Sequence, residues 1–373
     1  MILFISLFII CVIFYPAKTK YITVGSINTI RQSDNRRIMN NRDAYLIFVM
    51  FALCLICGLR DRTIGVDTVT YIETFESQSV LNTVFLHGEV KFEIGYKFLV
   101  QAIRLITNNA NCFIFICAAL SFIGLYFFIR DNCKENYQIA MMIFMAFLYY
   151  TTFSAIRQSI ALAIGVNSIT YLKRKNWIKA SILIIIGGLF HYTELVVLIM
   201  VPLSMTKWTK KKISFSIIIA AAMIGLFPRI MAVVTKYIPV YNRYLSTDFM
   251  DSSGSIIGLF SLLTIALVGL GVYKLVCNYT YLDEDTKNIL IMAIVGSVFA
   301  VAFDLLGHQY AMLSRVTRFY IPYIMVLGSS IYGNIKSKFG FNIIVIVLMF
   351  IFYVTKINAN VYAIIPYKSF LGW

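Results

Sequence analysis

Long apolar runs recur along the whole chain, and most of the ionisable residues lie in the gaps between them. Ala110–Ile129, Ile213–Met223 and Phe341–Val354 are examples, and several runs approach the ~20 residues needed to cross a ~30 Å hydrocarbon core. In lipid every backbone N–H and C=O must be satisfied within the protein, so only helices or a closed barrel can span. The runs are continuous rather than alternating, which excludes the barrel. Over 373 residues the chain is 60% hydrophobic and 13% charged, with mean hydropathy +0.80, against roughly a quarter charged in soluble domains. The expected fold is therefore all-α: a polytopic transmembrane helical bundle of about 10–12 spans.

A formal charge of +16 would point to nucleic acid in a soluble protein. Here the basic residues form short clusters between apolar runs, the pattern of cytoplasmic loops, so no nucleic-acid partner is expected. Seven cysteines (Cys11, Cys54, Cys57, Cys112, Cys117, Cys133, Cys277) sit in or beside apolar runs, without the spacing of a disulfide framework. The stretch Met1–Tyr15 lacks a preceding basic flank and a cleavage site, and is read as a first span.

Charge also orients the spans. Lys18, Lys20, Arg31, Arg36, Arg37 and Arg42 mark the first connection as cytoplasmic. Residues 60–107 then form a long external loop after the second span, carrying Asp61, Asp67, Glu73, Glu76, Glu89 and Glu93. Its end, Ile94–Ile106, is amphipathic and suits an interfacial helix. Spans are expected at Ala110–Ile129, Ile139–Phe153 and Ser159–Leu172. Ile182–Met205 lies between two basic clusters, Lys173-Arg174-Lys175 with Lys179 and Lys207 with Lys210, Lys211 and Lys212. Both flanks favour the cytoplasm and the stretch is too short for two crossings. That predicts a short or re-entrant hairpin with His191 and Glu194 near its apex, a single long span being the alternative. Spans at Ile213–Val234, Ser255–Val276, Ile289–Leu306, Phe319–Ile335 and Phe341–Val354 leave external loops at 236–254 and 307–318. No repeat or soluble module interrupts residues 1–373, which read as one membrane domain.

An ionisable residue in or beside a span costs several kcal/mol unless paired or wetted, so each one is a functional candidate. Arg157, His191, Glu194 and Asp304 fall within or at the edge of apolar segments, and Arg60, Asp61, Arg315 and Arg318 lie at outer ends. Their gathering toward one face favours an external site over a path through the membrane. Arginine suits a phosphate or pyrophosphate, because its planar fork binds two oxygens and its charge cannot be titrated away. His191 and Glu194, spaced i, i+3, share one face of a helix and could act together in proton transfer. Three distant histidines and no clustered cysteines or acids give no metal signature, and no glycine loop for a phosphate cofactor is present.

Four segments carry a resemblance. Gly58-Leu-Arg60-Asp61-Arg-Thr-Ile-Gly65-Val-Asp67-Thr-Val-Thr-Tyr71 is followed by Phe92-Glu93-Ile-Gly95-Tyr96, then Phe153-Ser-Ala-Ile-Arg157-Gln158, then Leu189-Phe190-His191-Tyr-Thr193. In order and spacing they resemble the EpsG family of bacterial polysaccharide polymerases, the Wzy-type enzymes; Ser314-Arg315-Val-Thr-Arg318-Phe319 fits less specifically. The resemblance implies a metal-independent glycosyltransferase in the bacterial inner membrane, without cofactor, that joins undecaprenyl-pyrophosphate-linked oligosaccharide units at the external face. The product would be O-antigen, capsule or exopolysaccharide. Its partners would be that lipid-linked substrate, membrane lipids and a chain-length regulator protein. Arg60, Arg157, Arg315 and Arg318 would bind the pyrophosphate, His191, Glu194, Asp67 and Glu93 are the candidates for acid–base work, and Asp61, Tyr71, Tyr96 and Gln158 for sugar contact. The competing readings are a flippase for the same units and an O-antigen ligase.

Overall fold

A computed structural model describes residues 1–16, 40–77, 92–206, 254–307, 311–332 and 338–372, with the single positions Ala222, Gly225, Leu226 and Arg229. The expected span Ile213–Val234 and the external loop 236–254 fall almost wholly outside the described residues. What is described is helical, joined by turns and one antiparallel bridge between Arg60 and Ser369.

The protein is an all-α polytopic membrane bundle. In chain order its elements are α1 (Ile2–Ile13), α2 (Asn41–Gly58), α3 (Thr68–Ser77), α4 (Ile94–Arg104), α5 (Ala110–Asn132) and α6 (Tyr137–Phe147). A 3₁₀ turn at Tyr149–Phe153 leads to α7 (Ile156–Gly165), α8 (Ser168–Leu172) and α9 (Trp177–Gly188). A second 3₁₀ segment, Tyr192–Ile199, runs into α10 (Met200–Met205), followed by α11 (Gly254–Cys277), α12 (Glu284–Gly307), α13 (Ala311–Tyr332) and α14 (Lys338–Ala359). Asparagines start several of them: the side chains of Asn40, Asn109, Asn136 and Asn176 accept from first-turn N–H groups of α2, α5, α6 and α9, each worth about 1 kcal/mol. Segments long and apolar enough to cross a bilayer occur at Asn41–Gly58, Ala110–Asn132, Leu259–Cys277, Glu284–Gly307 and Lys338–Ala359.

The short helix α6 is the hub. All its residues are buried, because α1, α13 and α14 pack around it, as expected for a helix apolar on every side. On one flank α5 packs on α2 and α7, and α9 packs on α7; on the other, α12 and α13 form the largest helix pair. The close approach of α2 to α5 leaves no room for a side chain at Gly58, where a Cβ would stand 2.7 Å from the Phe115 ring.

Two expected spans are broken. Ile139–Phe153 ends as helix at Phe147, since the Thr151 and Thr152 hydroxyls donate to the carbonyls of Leu148 and Tyr149 at 2.7 and 2.6 Å, local bonds that compete with the α-helical ladder. Ser159–Leu172 breaks after Gly165, where the Asn167 amide donates to the carbonyls of Ala163 and Gly124 at 2.8 and 3.0 Å. The stretch 307–318, expected as a connection, is helical from Ala311. The apolar stretch around His191 doubles back as a hairpin, with α9 packed on the following 3₁₀ segment and on α10.

Contacts divide the bundle into two ends. At one, the end of α2, the α3–α4 region, the starts of α7 and α13, the hairpin turn and the end of α14 meet. At the other, Lys173 donates to Asn132 at 3.1 Å, Tyr137 to Asp43 at 3.1 Å and Lys274 to the Ser330 carbonyl at 2.6 Å.

Candidate active site

The site is assembled where α4, α7, the hairpin turn and α13 converge. Helix α4 buries Tyr96, Val100 and Ile103 and rests its first turn on the hairpin, where Gly95 N–H donates to the Leu189 carbonyl at 2.8 Å. A Cβ on Gly95 would stand 2.8 Å from that same oxygen, so only glycine permits the contact. This docking carries Glu93, the residue just before α4, to the hairpin turn.

Glu93 is the centre of the site. Its Oε2 pairs with Arg157 Nη1, and its Oε1 lies 3.0 Å from His191 Nδ1. Burial pushes the Glu93 carboxyl up, but the hydrogen bond from His191 and the Arg157 charge outweigh it and hold the group below its ordinary range. It is therefore ionised at neutral pH. An ionised carboxylate only accepts, so the imidazole Nδ1 that faces it carries a proton, and Nε2 is the ring position at which a proton can be taken up or released. Nε2 faces the Thr193 hydroxyl at 3.2 Å.

Arg157, in the first turn of α7, is fixed from several directions. Its Nε donates to the Tyr71 hydroxyl at 3.3 Å, and its guanidinium lies 4.8 Å from the centre of the Phe92 ring. Tyr96 closes the floor, edge-on to Tyr71 at 5.6 Å and to Phe92 at 5.3 Å. Gln158 joins this group to α13: its amide donates to the Arg315 carbonyl at 2.9 Å and accepts from Arg318 at 2.6 Å. Arg318 also donates to the Tyr362 hydroxyl at 2.6 Å, and Phe319 stacks on His191 at 6.3 Å. Pro322 removes the N–H that would otherwise occupy the Arg318 carbonyl.

The sequence candidates thus separate. Glu93, Arg157, His191, Gln158 and Arg318 come together, with exposed Arg315 one turn from Arg318. Asp67 sits at the margin, accepting from Ser154 at 3.3 Å. Tyr71 and Tyr96 are buried beneath Arg157 as its support, so they offer no face to a sugar. Asp61 accepts from the Thr63 N–H and hydroxyl at 2.9 and 2.7 Å and shapes a turn instead.

Arg60 and Glu194 depart furthest from expectation. Arg60 is 2% exposed, caps the end of α2 through the Cys57 carbonyl, and shares no described contact with Arg157, Glu93 or His191. The chain end covers it: Ser369 bridges Arg60, and Phe370 N–H donates to the Leu59 carbonyl at 3.1 Å. Glu194 turns away from His191. His191 is extended (φ −157°, ψ 112°) and precedes the 3₁₀ segment, so the i, i+3 relation of a helix does not hold. The Glu194 carboxyl lies buried in a notch formed by Gly165 and Gly187.

Sequence reading missed Thr193, Phe319 and Tyr362 as site residues. Tyr362 depends on a turn in which Asn360 and Ala363 both have φ of +49° and the Asn360 side chain accepts from Ile364 N–H at 2.8 Å. Nothing in the local pattern announces that turn.

A family model described as the EpsG family matches residues 43–369. Neither a search of curated proteins nor one of solved structures finds a match.

Proposed function

The chain belongs to the EpsG family, a membership that fits a polysaccharide polymerase-type membrane protein, and from that premise we propose that it joins lipid-pyrophosphate-linked oligosaccharide repeat units into a surface polysaccharide. The work takes place at the external face of the bacterial inner membrane, with the undecaprenyl pyrophosphate of one unit as leaving group.

The observation that carries this reading is the pairing pattern of the arginines. Arg157 is neutralised by Glu93, whereas Arg318 is held by the neutral Gln158 and Tyr362, and Arg315 is exposed beside it. The site thus combines a base, His191, with positive charge that meets no carboxylate among the described residues. Glycosyl transfer from a lipid pyrophosphate needs that combination: a group to take the acceptor proton and fixed donors for the departing anion. Arg315 and Arg318 take the pyrophosphate oxygens. Arg157 keeps Glu93 ionised, and Glu93 orients His191.

Deletion in the native host tests the reaction. Loss of long chains with single repeat units still displayed is expected. Loss of all surface display would instead favour the flippase or ligase readings. In a complemented deletion strain, His191→Ala and Arg157→Lys are expected to abolish chain extension at unchanged protein level, read by polysaccharide ladder and membrane immunoblot.

A further inference from the structure

A glycosyl transferase can replace the leaving group directly, inverting the anomeric carbon, or through a covalent sugar–enzyme ester, retaining it. The second route needs a carboxylate free to attack that carbon. Glu93 is the carboxylate joined to both Arg157 and His191, and it is not free: Oε1 faces His191 Nδ1 at 3.0 Å, Oε2 pairs with Arg157, and the side chain is 6% exposed. His191 Nε2, by contrast, already has a hydroxyl oxygen at 3.2 Å, that of Thr193. An acceptor hydroxyl needs the same distance to lose its proton to this nitrogen.

Resting on the polymerase reading, we propose that the transfer is a single displacement with inversion, the acceptor hydroxyl taking at His191 Nε2 the place that Thr193 holds in the structure. The acceptor O–H bond breaks and its proton passes to Nε2. The freed oxygen pair forms the bond to the donor's anomeric carbon. The bond from that carbon to the pyrophosphate oxygen breaks, its electron pair leaving on that oxygen beside Arg318 and Arg315. No enzyme-bound sugar forms. Thr193 is a positioning residue, and Phe319, stacked on the imidazole at 6.3 Å, limits how far the ring can turn. Asp67 is exposed, accepts from the Ser154 hydroxyl at 3.3 Å and shares no described contact with His191.

The test uses the full chain in phospholipid vesicles, with lipid-linked repeat units extracted from a host lacking this protein. One-bond carbon–proton coupling gives the anomeric configuration of the donor first, and then of the new linkage in the product. An inverted linkage is expected. A retained linkage overturns the inference while leaving the polymerase reading intact, and moves attention to Asp67 as nucleophile. A glycosylated Glu93 or Asp67 peptide, found by mass spectrometry after incubation with donor, overturns it likewise. Failure of the wild-type protein to extend chains refutes the polymerase reading, and this inference with it.

Discussion

Arg60 and Arg157 read alike in the sequence, each an arginine beside an apolar run toward the same face of the membrane. In the fold they are opposites. Arg157 ends in a carboxylate that also binds His191, a phenol and an aromatic face, and its neighbour Gln158 binds Arg318. Arg60 ends in a helix carbonyl and the Phe153 ring at 5.8 Å, its Nε and Nη2 without partners among the described residues, under a C-terminal segment that closes over it. A charge at a span end can thus join a set of polar and aromatic groups or cap a helix. What separates the two uses is whether the neighbours form a set with complementary chemistry.

Variants of the Arg157 group carry the largest expected effects. His191→Ala removes the base and Arg157→Lys the planar fork; each is expected to lower chain extension by about 10² to 10⁴-fold in a vesicle assay. Equal losses from Arg60→Met would dissolve the distinction between the two arginines. For that variant, activity per folded molecule is expected within about threefold of wild type, with folded yield unchanged or improved, since an apolar replacement of a half-satisfied buried charge is often neutral or better.

Arg318→Ala is expected to cost about 10²-fold, comparable to removing one oxyanion donor. Arg315→Ala should cost less, because its side chain is exposed to solvent, and a larger loss at Arg315 would reverse their assigned ranks.

Glu93 adds a pH signature. Its folded-state value lies below the ordinary 4.5, so its contribution to stability is complete above that value and is lost as pH falls below it. Thermal unfolding of the purified protein should show a midpoint that falls below about pH 4.5, with a shallower fall in Glu93→Gln. An equal slope in both would deny the carboxylate its place between Arg157 and His191.

The smallest effect concerns Glu194. Gly165→Ala drives a methyl group into its carboxyl and is expected to lower stability by about 1–3 kcal/mol. Glu194→Ala should relieve much of that loss in the double variant. Simple additivity of the two would place Glu194 elsewhere.

Much of the protein is legible in its amino-acid sequence. Continuous apolar runs with so few charges determine helices in a membrane, because lipid leaves the backbone no other way to satisfy its polar groups. The two basic flanks of Ile182–Met205 set the hairpin, since neither crossing has enough residues. The rarity of charge in these runs marks Arg157, His191, Glu194 and Asp304 alike as candidates. Tertiary structure alone decides which charges meet. Glu93 reaches His191 across a sequence separation of 98 residues, and Gln158 reaches Arg318 across 160; such contacts depend on packing at Gly95 and on the course of α13, which no local pattern encodes. The fate of Arg60 and the turn of Glu194 away from His191 are likewise set by the folding back of the chain end and by one extended residue. Solvent preference is written residue by residue, whereas partnership is a property of the closed bundle.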